Sequence, residues 1–178
     1  RALELTRQVQ EGGTVKIDLP TVSKTNPAAT ILLTAQEAYH QRDMTRALLL
    51  TNQAINHSGG ATAYALRSLI QTQNGNLIDA AKDLQQAQTL TNPTTEWELL
   101  LAQGQFQETS GKFEEAAGSY RRMMALRPGD YRARLLLADL YRSSGNTQQA
   151  IAEYRAIINA NPTTGQAEHG AWTAYRAG

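Results

Sequence analysis

Apolar residues recur every three or four positions along most of the chain, in stretches of about 13 residues that short polar turns separate. One stretch places its apolar residues on a single side of a helix: Leu135, Leu136, Ala138, Leu140 and Tyr141. Glycine followed by Asn or Lys divides neighbouring stretches, and proline, glycine or asparagine closes each couple. The pattern predicts a series of paired antiparallel helices.

These turns recur with a fixed period. Pro128 and Pro162 lie 34 residues apart. The same offset relates three further couples: Gly111 and Gly145, Ala116 and Ala150, Tyr120 and Tyr154. Weaker landmarks at Ala47 and Ala80 continue the pattern upstream. We therefore divide the chain into four copies, 28–60, 61–96, 97–130 and 131–164, and place two extra residues of the second copy in its closing turn at 92–96.

This repeat resembles that of the tetratricopeptide repeat family. The family pattern has a small residue in the first helix, glycine in the turn, alanine and an aromatic residue in the second helix, and a closing proline. The last copy matches it best, with Ala138, Gly145, Ala150, Tyr154 and Pro162. The first two copies depart from it, with Thr51 and Leu84 in place of the aromatic residue. The resemblance implies an all-α fold, a right-handed superhelical array of antiparallel helix pairs.

The resemblance also implies a concave groove, lined by the first helices, that holds a segment of a partner protein. The predicted groove residues are Leu32, Gln36 and Tyr39, then Ala65, Leu69 and Thr72, then Glu98, Leu101, Gln105 and Glu108, and finally Arg132, Leu135, Asp139 and Arg142. Four leucines would form a central apolar strip: Leu32, Leu69, Leu101 and Leu135. Alternatively, some of them pack against the neighbouring repeat. The basic clamp of chaperone-binding members has no match, which argues against that role.

The two ends of the chain depart from the repeat. Residues 1–27 are predicted to be a tail or linker, with a strand pattern at 14–19. This tail either comes from a neighbouring domain or lies in a groove. Residues 165–178, with Trp172 and Tyr175, are predicted to be a capping helix or the first helix of a truncated fifth copy.

Composition and charge remove several classes of function. The chain has 178 residues, a net charge of +1 and no cysteine, which excludes disulfides and thiol catalysis. Its three histidines lie far apart in sequence, His40 and His57 in the first copy and His169 near the C-terminus, and they form no metal-binding spacing. No phosphate-binding loop or catalytic constellation is present, so we expect no enzyme activity, metal or cofactor. Six arginines between 118 and 142 divide between two helix faces, so we expect no nucleic-acid partner, and no apolar run reaches the roughly 20 residues of a membrane span.

The sequence thus predicts a protein-binding scaffold or adaptor. We expect it to belong to a larger bacterial protein of envelope or secretion assembly. The alternative is a regulatory or substrate-recruiting domain of an enzyme whose catalytic part lies elsewhere. Self-association through the C-terminal helix is a third alternative. The sequence does not fix the compartment, although four lysines against thirteen arginines weakly favour an extracytoplasmic bacterial setting, either the periplasm or a membrane-tethered domain.

Ala116→Leu and Ala150→Leu should each lower the free energy of unfolding by roughly 1–3 kcal/mol, because a larger side chain overfills a tight helix crossing. Thermal melting of the two variants measures this. Unchanged melting in both would mean that the helix register is misplaced.

Overall fold

The computed structural model describes residues 27–160, and within them the chain forms eight α-helices and no strand. The helices are α1 (Pro27–His40), α2 (Met44–Asn56), α3 (Gly60–Gln73), α4 (Leu77–Leu90), α5 (Glu96–Thr109), α6 (Phe113–Leu126), α7 (Tyr131–Ser143) and α8 (Thr147–Ala160). Each odd-numbered helix packs most closely on the helix that follows it, which gives four pairs. The all-α prediction is confirmed. The predicted strand at 14–19 and helix at 165–178 lie outside the described residues.

The turn inside each pair reverses the chain through one residue in the left-handed conformation. Three pairs use glycine there, with φ angles of 78°, 73° and 82° at Gly75, Gly111 and Gly145. In the first pair Arg42 adopts this conformation, with φ 63°. Asp43 follows and caps α2, because its side chain accepts a hydrogen bond from the backbone N–H of Arg46. The first pair therefore makes the same turn with a residue that is strained by it.

Small residues set how closely the two helices of a pair approach. The second helices place a fully buried alanine at the crossing: Ala47, Ala80, Ala116 and Ala150. In the third pair, Gly104 of α5 lies directly against the buried ring of Tyr120 of α6. A Cβ atom built on Gly104 would lie 2.3 Å from Cε1 of Tyr120. The tyrosine can fill this space only because residue 104 has no side chain.

The middle junction of the array differs from the other two. At the outer junctions, the second helix of one pair packs on the first helix of the next, α2 on α3 and α6 on α7. At the middle junction α5 packs mainly on α3, which is another first helix, and less on α4. Before α5 the chain makes a longer turn, in which Asn92 Oδ1 accepts a 2.9 Å hydrogen bond from the backbone N–H of Thr94. The longer turn lets α5 lie against α3.

As a result, α3 is the most deeply enclosed of the described helices, with eight of its 14 residues buried. The core forms two apolar clusters, and α5 contributes to both. Leu99 and Ala102 belong to the cluster of the first two pairs. Trp97 and Leu100 belong to the cluster of the last two pairs. Helix α5 therefore joins the two halves of the core.

Arg67 joins the two helices of the second pair through an ion pair and contacts the first pair through a hydrogen bond. Arg67 of α3 donates through Nε and Nη2 to the two carboxylate oxygens of Asp83 in α4, at 2.8 and 2.6 Å. Its Nη1 donates to Oδ1 of Asn52 in α2 at 2.8 Å. The hydrogen bond to Asp83 raises the pKa of Arg67. The three side chains define the relative positions of α2, α3 and α4.

Gly104→Ala should lower the free energy of unfolding by about 1–3 kcal/mol, since the added methyl group collides with the Tyr120 ring. Gly118→Ala is the matched control, because Gly118 is also helical but has no atom within 4 Å of the point where a Cβ would lie. The control should raise stability by about 0.5–1 kcal/mol through helix propensity. Urea unfolding measures both, and stabilisation by Gly104→Ala would contradict the close approach.

Candidate partner-binding groove

The structure divides the predicted groove residues into two groups. Four are buried: Leu32, Ala65, Leu69 and Thr72, with exposures of 9%, 1%, 5% and 3%. The other ten keep part of their surface: Gln36, Tyr39, Glu98, Leu101, Gln105, Glu108, Arg132, Leu135, Asp139 and Arg142. All three predicted positions on α3 belong to the buried group. The surface that a partner can reach lies mainly on α5 and α7.

This division corrects the expected apolar strip. Leu32 and Leu69 belong to the same buried cluster as Leu99 of α5. They pack against neighbouring pairs, which is the alternative that the sequence leaves open. Leu101 and Leu135 are half-buried and still present apolar surface. The strip is therefore covered in the first two pairs and partly open in the last two.

A chain of hydrogen bonds crosses the buried groove positions of α3. Arg42 Nη1 donates to Oε1 of Gln73 at 3.2 Å, and Gln73 Nε2 donates to the Tyr39 hydroxyl at 2.7 Å. The Tyr39 hydroxyl in turn donates to Oε1 of Gln105 at 3.4 Å. Burial raises the pKa of Tyr39, and the charge of Arg42 acts in the opposite direction. Side chains of α1 and α5 thus meet across α3.

Beyond this chain, two core tyrosines hold the carboxylates of the groove. The Tyr120 hydroxyl donates to Oε2 of Glu108 at 3.0 Å. The Tyr154 hydroxyl donates to Oδ1 of Asp139 at 2.5 Å and accepts from Nε of Arg142 at 3.2 Å. The rings lie in the core and only the hydroxyl groups reach the groove, which sequence reasoning missed. The choice of tyrosine over phenylalanine at these positions was the available signal.

Burial and charge shift the proton equilibria of these groups. Burial raises the pKa of Glu108, and the nearby charge of Asp139 adds to the effect. Burial, followed by the charge of Glu108, raises the pKa of Tyr120. Burial and the hydrogen bond to Asp139 raise the pKa of Tyr154 to about 12.

The six arginines of 118–142 contact partners within the chain. Arg132 pairs with Asp130. The other five contacts are Arg121 with Tyr141, Arg122 with Glu96, Arg127 with Glu98, Arg134 with Glu153, and Arg142 with Asp139. The guanidinium groups of Arg127 and Arg132 also lie 4.5 and 5.4 Å from the centre of the Trp97 ring. These contacts give the arginines structural roles.

Within residues 27–160, no cluster of three or more histidine, aspartate or glutamate residues could hold a metal ion. No helix in the same range has the length and apolar character needed to cross a membrane.

Comparison with known proteins agrees with the helix-pair architecture. Residues 100–169 match the profile of the tetratricopeptide repeat family. Residues 100–169 therefore have the tetratricopeptide repeat sequence pattern. No curated protein sequence matches the chain. Tetratricopeptide repeats are typically non-catalytic and bind peptides or proteins, which agrees with the class of function that the sequence predicts.

Several solved structures, two of them tetratricopeptide repeat proteins, share the fold. TTC0263, a thermophilic protein of Thermus thermophilus, superposes with a TM-score of 0.71 at 19% identity, over 84% of this chain and 81% of that one. MamA gives 0.58 at 18% identity, over 85% and 82% of the two chains. YrrB, described as having an unusual peptide-binding site, gives 0.52 at 18% identity, over 97% and 82%. At these identities the likeness concerns the fold alone.

Glu108→Gln should stabilise the protein, and the gain should grow with pH. Because the folded-state pKa of Glu108 is raised, ionising it costs stability as pH rises above the ordinary glutamate value of about 4.3. Glutamine avoids that cost and still accepts from Tyr120. Urea unfolding at pH 4 and pH 7 measures the difference.

The exposed Glu114→Gln serves as the control for this variant and should show little change at either pH. Lower stability of Glu108→Gln at pH 7 would contradict the expected direction.

Proposed function

We propose that the chain is a scaffold that binds a segment of another protein on the first helices of the last two pairs. We call this surface the open groove and define it by Leu101, Gln105, Glu108, Leu135, Asp139 and Arg142. The observation that carries the proposal is the difference in burial between the predicted groove leucines. Leu101 and Leu135 keep accessible surface, whereas Leu32 and Leu69 do not. Among the predicted groove leucines of the described residues, the accessible apolar anchors therefore lie in this half.

The flanks of the open groove indicate the character of the partner. Glu108 and Asp139 supply negative charge, and Arg142 supplies positive charge. Tyr154 already holds Asp139, and Arg142 also contacts Asp139, so part of this charge is satisfied internally. A partner segment with one or two apolar anchors and mixed polar neighbours fits this surface better than a strongly charged one.

Peptide recognition has a precedent in the same fold. YrrB is described as having an unusual peptide-binding site. Its likeness to this chain supports a peptide-like segment as the class of partner, and the burial pattern supports the location. The identity of the partner requires a binding experiment.

The biological setting stays a prediction. An envelope or secretion-assembly context rests on composition and on family analogy. The enzyme-recruitment alternative uses the same groove and differs in what the chain is attached to. The sequence of the complete gene decides between them, because a neighbouring catalytic domain would favour recruitment. Light scattering of the isolated chain tests self-association.

A peptide-display experiment tests the open groove. Peptides selected on the unchanged chain from a random phage library would be titrated against Leu101→Gln with Leu135→Gln. We expect this double variant to weaken binding at least tenfold, since single anchors often contribute about 2 kcal/mol or more. Circular dichroism and urea unfolding check that the variant is folded.

The control double variant is Leu49→Gln with Ile78→Gln. These two residues are 59% and 76% exposed and lie on the second helices α2 and α4. It makes the same kind of change away from the open groove, so binding should stay within about threefold. Strong loss in the control with none in the groove variant would place the partner on the second helices instead.

A further inference from the structure

We propose that the hydrogen-bond chain Arg42–Gln73–Tyr39–Gln105 is a clasp that keeps a second part of the groove closed. The closed part consists of the α3 residues Ala65, Leu69 and Thr72. This inference extends the proposed function, and only its consequence for binding rests on that function. The clasp itself is a property of the folded chain and needs no partner.

The geometry places the clasp across three successive pairs. Arg42 lies in the turn after α1, Tyr39 in the last turn of α1, Gln73 at the end of α3, and Gln105 in α5. Helix α3 contacts both α1 and α5, and its groove-side residues are buried. The longest link, 3.4 Å, joins Tyr39 to Gln105. Breaking this link alone would remove the hydrogen bond between α1 and α5 and leave the other two bonds intact.

Arg42 carries backbone strain in this arrangement. It occupies the left-handed conformation at the turn position where the other three pairs have glycine. A side chain disfavours this conformation by roughly 1–2 kcal/mol, and glycine would remove the cost. Glycine, however, has no guanidinium group to donate to Gln73. The strained residue is thus also the first member of the clasp, which is the kind of coincidence that points to function.

Thr72 supplies a second unfavourable feature of the closed form. Its hydroxyl oxygen is buried and has no hydrogen-bond partner among the described residues. Buried polar groups are nearly always paired, so an unpaired one destabilises the form that buries it. Thr72 precedes Gln73 directly and is one of the three covered residues. Opening the clasp would return this hydroxyl to water or to a partner.

The closed form is therefore destabilised by the backbone strain of Arg42 and by the unpaired Thr72 hydroxyl, and only a few weak hydrogen bonds between side chains oppose these effects. Such a balance allows a minor open form, since hydrogen bonds between accessible side chains contribute little individually. In the open form Leu69 of α3 would become accessible next to Leu101 of α5. A partner with a further apolar anchor would then bind the longer groove and shift the population towards the open form.

Distance measurements test the clasp. The chain has no cysteine, so spin labels attach only where cysteines are introduced. Thr45→Cys in α2 and Thr109→Cys in α5 lie at exposed positions on either side of the clasp. Double electron–electron resonance spectroscopy on the doubly labelled protein should show one main distance between the two spin labels. In this background Arg42→Gly should increase a longer-distance population roughly two- to tenfold, the effect of losing one hydrogen bond. Tyr39→Phe loses the bonds to both Gln73 and Gln105, so it should increase that population at least as much.

Ser58→Gly is the matched control. Ser58 also has a left-handed backbone, with φ 63°, but takes no part in the clasp. Both glycine variants relieve strain, so both should unfold at or above the urea midpoint of the labelled parent. Only Arg42→Gly should alter the distances. Arg42→Gly is thus expected to be at least as stable as the labelled parent and yet less often closed. If Arg42 had only a structural role, the variant would not show this combination.

Two outcomes would overturn the clasp. Unchanged distances in both Arg42→Gly and Tyr39→Phe would show that the bonds do not hold α1 to α5. Equal changes in Arg42→Gly and Ser58→Gly would assign the effect to turn flexibility. Because the measurement uses no partner, either result leaves the open groove to be judged by the peptide experiment alone.

Discussion

The close approach of two helices at a small residue is the constraint on which the rest of this structure depends. Each second helix places a fully buried alanine at the crossing, and in the third pair Gly104 lets the Tyr120 ring lie directly against α5. A tyrosine buried this deeply can reach the groove only with its hydroxyl group. That hydroxyl donates to Glu108. Packing between helices therefore fixes the position of a polar group on the surface proposed to bind a partner.

The middle junction converts a regular repeat into an uneven binding surface. Because α5 lies on α3, the groove side of α3 is enclosed between its neighbours. The same helix contributes residues to both apolar clusters, which links the packing of α3 to that of the last two pairs. Leu69 is consequently buried while Leu101 keeps exposed surface. Equivalent positions in a repeat need not have equivalent roles, since each depends on how the next pair packs.

The sequence predicts the parts of the fold that are local. The glycine turns and the buried alanines recur at a fixed spacing, so the helix pairs follow from short-range patterns. The burial of Leu32 and Leu69 does not follow, because it depends on contacts between different pairs and on how α5 packs. Tyr39 meets Gln105 across 66 positions of sequence, which no periodicity records. The special position of Arg42 could be recognised from the sequence, since the other three copies have glycine at this point of the turn.

That departure suggests how repeats acquire individual functions. The turn after the first helix needs a left-handed residue in all four pairs, and glycine meets the need without strain in three of them. An arginine at this position is strained in the left-handed conformation, but its long side chain donates a hydrogen bond to Gln73. The exchange is tolerable because the turn is exposed and the helices on either side are held by buried contacts. An exposed turn position such as residue 42 can thus accept a larger residue than glycine. Gly104 cannot be replaced in this way, because it lies against the buried ring of Tyr120.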